Sequence, residues 1–159
     1  MSAPPVEVRR HAAAPPQRVW AVLTDFRAHG RWVPLTSMVT DPGEPRLGWS
    51  FTGVTRVGPL RVVDPMVITR WEPMTPARPE GAFAVRKTGR VLGGWAQAQV
   101  RPAHGGAEVV WRELIEPRPA PLGRLVAPVT GRGTGLLFGR VLDAVCREAE
   151  AGAEAEAPR

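Results

Sequence analysis

The spacing of apolar and polar positions changes along this chain. Near the C-terminus Phe138, Val141, Leu142, Val145 and Ala149 recur at steps of three and four, so they share one face of a helix. Arg140, Asp143, Arg147 and Glu150 fall on the opposite face, and Thr134 is placed to cap the start. A shorter helical pattern opens at Pro15-Pro16, with Val19, Val22, Leu23 and Phe26 on its apolar face and Trp20 on the flank. Proline suits a first turn, where its missing N–H has no helical partner to lose. Between the helices the period is two.

Val6–His11 alternates and reads as a first strand. Arg31-Trp32-Val33-Pro34 reads as a short second helix or a tight turn. Strand texture begins near residue 36. Leu47, Trp49 and Phe51 alternate in a strand running to Val57, and Leu60–Trp71 is the next, with Pro65 predicting an edge position or a bulge. Residues 72–79 read as a loop. Further strands cover Phe83–Thr88, Trp95–Arg101 and Ala107–Glu116, the last two joined at His104-Gly105-Gly106. Residues 117–133 are rich in proline and glycine, yet Leu122, Leu125, Val126 and Val129 keep helical spacing. The segment reads as a helical piece broken from the main helix around Pro128–Gly133, and as a hinge or gate. The expected fold class is α+β: a curved antiparallel sheet of about six to seven strands around a long C-terminal helix, with one or two short helices after strand 1.

At 159 residues the chain suits one domain, taken as 1–151, with 152–159 a polar disordered tail. The single cysteine, Cys146, permits no internal disulfide. No apolar run reaches the ~18 residues a membrane span needs, and residues 1–11 lack a secretory apolar core, so a cytoplasmic location is expected. The net charge is +6, and all but one of the 21 basic residues are arginine, Lys87 being the exception. The arginines are scattered along the sequence, which argues against nucleic acid as a partner.

The ordered segments Pro16–Phe26, Asp64–Pro73, Gly89–Gly94 and Glu108–Glu113, together with the closing helix, resemble the START/Bet v 1-like (SRPBCC) superfamily, the helix-grip fold. More closely, they resemble bacterial polyketide cyclase/dehydrase-like proteins. The resemblance implies a deep, largely apolar pocket between sheet and helix. It also implies a hydrophobic small molecule, polyketide or lipid as ligand. No cofactor is expected, and the expected state is a monomer or homodimer.

Candidate chemistry follows from which strand faces turn inward. On the last strand Val109, Trp111, Glu113 and Ile115 share the more apolar face, so Glu113 is a carboxylate whose burial would raise its pKa. It reads as a general acid or base, or as a structural residue paired with arginine. Asp64 shares a face with Val62, Met66, Ile68 and Arg70 and poses the same alternatives, with Arg70 as a partner for either acid or for an anionic ligand group. Candidate pocket walls are Trp49, Phe51, Met66, Ile68, Arg70, Trp111, Phe138, Val141 and Leu142. His11, His29, His104 and Cys146 have no metal-ligand spacing, so no metal is expected, and no serine sits in a nucleophile elbow. Two functions remain open: a binding module for a hydrophobic molecule, or a polyketide cyclase, aromatase or dehydratase using Glu113 or Asp64.

Overall fold

The computed structural model describes residues 4–118 and 120–156, with the backbone alone over 120–131. Seven strands and two helices follow in order: β1 (Val6–Ala12), α1 (Pro16–Leu23), a 3₁₀ turn (Ala28–Arg31), β2 (Thr36–Thr40), β3 (Ser50–Val57), β4 (Leu60–Glu72), β5 (Gly81–Thr88), β6 (Leu92–Ala103), β7 (Gly106–Pro117) and α2 (Ala120–Glu156). The sheet is antiparallel throughout, in the order β1-β7-β6-β5-β4-β3-β2. Five successive hairpins build most of it, and β1 closes it by pairing with β7, Val6 opposite Glu113. A sheet of successive hairpins twists and curls, and its concave face needs an apolar cover.

That cover is α2 with α1. Leu142, Val145 and Ala149 of α2 are fully buried, as are Val19 and Leu23 of α1. Against them lie Phe83, Val100, Val109 and Trp111 from the concave face. Burying each such side chain contributes about 1.5–3 kcal/mol. The outer face of α2 is tied by charge: Arg10 Nε lies 2.6 Å from Asp143, and Ala13 N–H donates to Glu150 at 2.8 Å.

Several expectations are corrected. The break around Pro128–Gly133 is absent: α2 is one helix of 37 residues, so Thr134 is a buried mid-helix residue rather than a cap. The side chains of Leu122, Leu125, Val126 and Val129, and with them the gate reading, lie outside the described residues. The helix also continues to Glu156, into the segment expected to be a disordered tail. Alternating Ala and Glu are good helix formers, and Arg18 pairs with Glu156. Pro65 needs no bulge of its own, and β4 is an interior strand. The β4–β5 ladder begins at Met66–Lys87, so Pro65 pairs only with Thr52 of β3, where a missing N–H is tolerated. The register shift in β4 comes later, between Ile68 and Arg70. Leu47 precedes β3 and is exposed, so the alternation it shares with Trp49 is not a strand pattern.

Candidate ligand cavity

The curl of the sheet leaves a cavity of about 210 Å³ beneath α2. Its walls are aromatic and aliphatic: Phe26 after α1, Phe51 of β3, Phe83 and Val85 of β5, Trp111 of β7 and Phe138 of α2. Trp111 and Phe138 stack at 5.2 Å between centroids, with their planes 14° apart. Phe83 meets Trp111 edge to face, which fixes the floor.

One wall carries charge. Lys87 extends from β5 on the same face as Phe83 and Val85, and only 5% of its side chain is exposed. Its Nζ donates to Asp64 Oδ2 at 2.6 Å and lies 3.1 Å from Glu113 Oε1. Trp111 Nε1–H donates to the other Glu113 oxygen at 3.0 Å. The ladders dictate this meeting. Ala96 of β6 stands opposite both Val85 and Glu113, and Met66 of β4 stands opposite Lys87. Burial pushes the Glu113 carboxyl above its ordinary value, against the opposing pull of the Lys87 ammonium and the Trp111 N–H. Burial also works against the Lys87 charge, but the Glu113 and Asp64 carboxylates outweigh it and hold the ammonium above its ordinary value. One oxygen is left over: Asp64 Oδ1 is buried and has no hydrogen-bond partner among the described residues.

His29 closes another side of the cavity between Phe26 and Trp32. Its Nε2 lies 2.7 Å from the Leu23 carbonyl, which can only accept, so Nε2 carries the proton. Burial lowers its pKa and keeps the ring neutral.

The candidates read from sequence divide clearly. Glu113, Asp64, Phe51, Met66, Trp111 and Phe138 line the cavity. Val141, Leu142 and Ile68 are packed in the core instead, the first two a turn further along α2. Trp49 is corrected to a core residue: its indole N–H donates to the Pro42 carbonyl at 3.2 Å and its ring packs on Phe26. Arg70 is corrected to the outer surface. The register shift after Ile68 reverses the facing of the strand, and Arg70 forms a two-armed ion pair with Glu72 at 2.8 and 2.9 Å. The cation beside the two acids is therefore Lys87, which the sequence reading passed over. Its signal was present: the chain's one lysine continues the alternation of Phe83 and Val85.

A family model described as "Polyketide cyclase / dehydrase and lipid transport" matches residues 4–150. The chain belongs to this family. Solved structures share its fold at low identity. TTHA0849 from Thermus thermophilus is similar with a TM-score of 0.72 at 14% identity, over 94% of this chain and 99% of that one. The Zhui aromatase/cyclase from Streptomyces sp. R1128 gives 0.66 at 16% identity, over 94% and 97%. A norcoclaurine synthase point mutant from Thalictrum flavum, in complex with a transition-state analogue, gives 0.61 at 11% identity, over 92% and 96%. None of the curated proteins matches the sequence. For this member of the polyketide cyclase/dehydrase family, the sheet, α1 and α2 are common ground with these structures.

Proposed function

We propose that this domain binds a small, largely apolar molecule in the cavity beneath α2, held by one polar group against Asp64. The observation that carries the reading is the pairing of an aromatic-walled cavity with a buried carboxylate oxygen that has no partner among the described residues. A buried acceptor left unmade costs about 1–3 kcal/mol, so a donor supplied by a ligand would recover that cost on binding. A cavity of about 210 Å³ suits one substituted ring or a short acyl chain, since an apolar cavity of about 150 Å³ already admits benzene. A hydroxyl-bearing aromatic or enolic molecule fits both features.

A second reading, a cyclase- or dehydratase-type enzyme, is favoured by Glu113, whose raised carboxyl borders the same space and is suited to hold a proton for transfer. Lys87 takes the place beside the two acids that the sequence pattern assigns to Arg70. With both oxygens of Glu113 already engaged by Lys87 and Trp111, the geometry supports binding better than proton transfer. Native mass spectrometry of the purified chain tests the binding reading. An apolar adduct is expected, and it should be lost when Gly53, whose Cβ position borders the cavity, becomes valine. No adduct on either protein, with no small aromatic molecule bound on addition, would overturn it. Turnover of a bound polyketide-like chain that Glu113→Gln abolishes without loss of binding would establish the enzyme instead.

A further inference from the structure

Seven large apolar side chains are exposed among the described residues, and five gather at one end of the sheet: Leu35, Val57, Leu60, Val91 and Leu136. The topology brings them together. Val57 and Leu60 face each other at the tip of the β3–β4 hairpin. Leu35 sits beside that tip, its carbonyl accepting the Arg56 N–H at 3.0 Å. Val91 caps the neighbouring β5–β6 turn, and its carbonyl accepts the Arg118 N–H at 2.8 Å. α2 passes the start of β1 at Gly135, where an added Cβ would lie 3.4 Å from Val6, and Leu136 follows. Thr36, Thr55, Val62 and Leu92, one or two residues inside these tips, line the cavity. The apolar end is therefore its rim.

The same end is basic. Arg56, Arg61, Arg90, Arg118 and Arg132 lie there, and none has an acidic partner among the described residues. The paired arginines, such as Arg9, Arg10, Arg70 and Arg101, belong to other parts of the surface. From Pro117 to Leu142 the sequence contains no Asp or Glu. Glu116, opposite Gly93 at the foot of β7, is the acid beside the β5–β6 turn, and it forms no ion pair among the described residues, so the arginines still outnumber it. Arg56 and Arg61 stand directly opposite each other across the hairpin, an arrangement that costs stability in water. Leu35 adopts φ 59°, unusual for a bulky residue, and holds its side chain outward. Apolar tips ringed by unpaired arginines complement an interface of acyl chains beneath anionic headgroups.

We propose that this end docks on an anionic lipid bilayer, inserting Leu35, Val57, Leu60 and Val91 while Arg56, Arg61 and Arg90 engage headgroups. No helix among the described residues is long and apolar enough to cross a membrane, so the contact is peripheral. It places the cavity rim at the bilayer surface and does not depend on what the cavity holds.

Vesicle co-sedimentation of the full chain tests it. Vesicles of equal parts phosphatidylcholine and phosphatidylglycerol should bind the chain, phosphatidylcholine alone should bind it far more weakly, and roughly 0.5 M salt should release it. Arg56→Gln with Arg61→Gln should weaken binding about fivefold per arginine. Val57→Ser with Leu60→Ser should weaken it comparably at unchanged charge. Arg9→Gln with Arg101→Gln carries the same charge loss on the outer face and should change binding little. All six side chains are exposed, and melting curves confirm folding. Equal loss in both arginine pairs, equal binding to the two vesicle types, or no sedimentation with either overturns the proposal. So does a concentration-dependent dimer that the Val57/Leu60 pair abolishes while vesicles go unbound.

Discussion

Replacing Lys87 by methionine keeps the length and apolar stem of the side chain and removes the charge between Asp64 and Glu113. The two acids remain, one fully buried and one with 17% of its side chain exposed, facing each other without a cation. Removing one partner of a buried, hydrogen-bonded ion cluster costs about 3–5 kcal/mol. For a chain of this length each kcal/mol moves Tm by about 2–4 °C, so a fall of roughly 10 °C is expected. Urea unfolding at pH 8 gives the free energy directly. The loss should also depend on pH. Burial already holds the Glu113 carboxyl above its ordinary value, and without Lys87 it rises further. A group whose folded pKa is raised favours the folded state below its unfolded pKa and loses that advantage as pH rises through the folded pKa. The deficit of Lys87→Met is therefore largest at pH 8 and shrinks toward pH 5. The neutral triple variant Asp64→Asn, Lys87→Met, Glu113→Gln should recover most of it, since no uncompensated charge is left. A loss below about 1 kcal/mol at pH 8, or one independent of pH, would refute the assignment of Lys87 as the buried counter-charge.

Three further outcomes follow from the same geometry. The pairing of Lys87 raises its pKa above the ordinary 10.5, so the stability it contributes is fully present below that value and is lost as pH rises through the folded pKa. The wild type should show an alkaline unfolding limb that Lys87→Met lacks, read by circular dichroism against pH. Gly53→Val places a side chain whose Cβ meets Thr36 and Met38 at 3.7 and 3.9 Å, ordinary contact distances. It should melt within a few degrees of wild type yet lose most ligand affinity in a calorimetric titration. Gly94, at φ 107°, has the Leu114 carbonyl oxygen only 1.9 Å from any added Cβ, so Gly94→Ala must displace β6 from β7 and should cost more than about 3 kcal/mol by urea unfolding.

The sequence made some of this legible and hid the rest for identifiable reasons. The α2 face and the alternation of β7 were readable because each is a long, uninterrupted period. Glu113 was placed inward on that basis, and it is buried. Arg70 was misplaced because one register shift after Ile68 inverts the facing of everything beyond it, and a shift leaves no mark in composition. Trp49 is read as a pocket wall from an alternation that starts before β3 does; its burial comes from ring packing on Phe26 and Phe51 and from the Pro42 carbonyl that the turn brings near. Lys87 shows the limit most clearly. Its inward facing was visible, but its two partners lie 23 and 26 positions away on different strands, and only the pairing of β4 through β7 brings them together. The scattered arginines likewise became a cluster only through the hairpin topology.

The proposed binding mode sets the Asp64 carboxylate, with its unpartnered oxygen, against a polar group on an otherwise apolar ligand. Isothermal titration of 4-ethylphenol against ethylbenzene, two ligands differing by one hydroxyl, tests it most directly. A hydrogen bond to a charged group contributes about 1.5–3 kcal/mol, so the phenol should bind at least about tenfold more tightly. Equal affinities, or no binding of either molecule by a folded chain, would contradict the account.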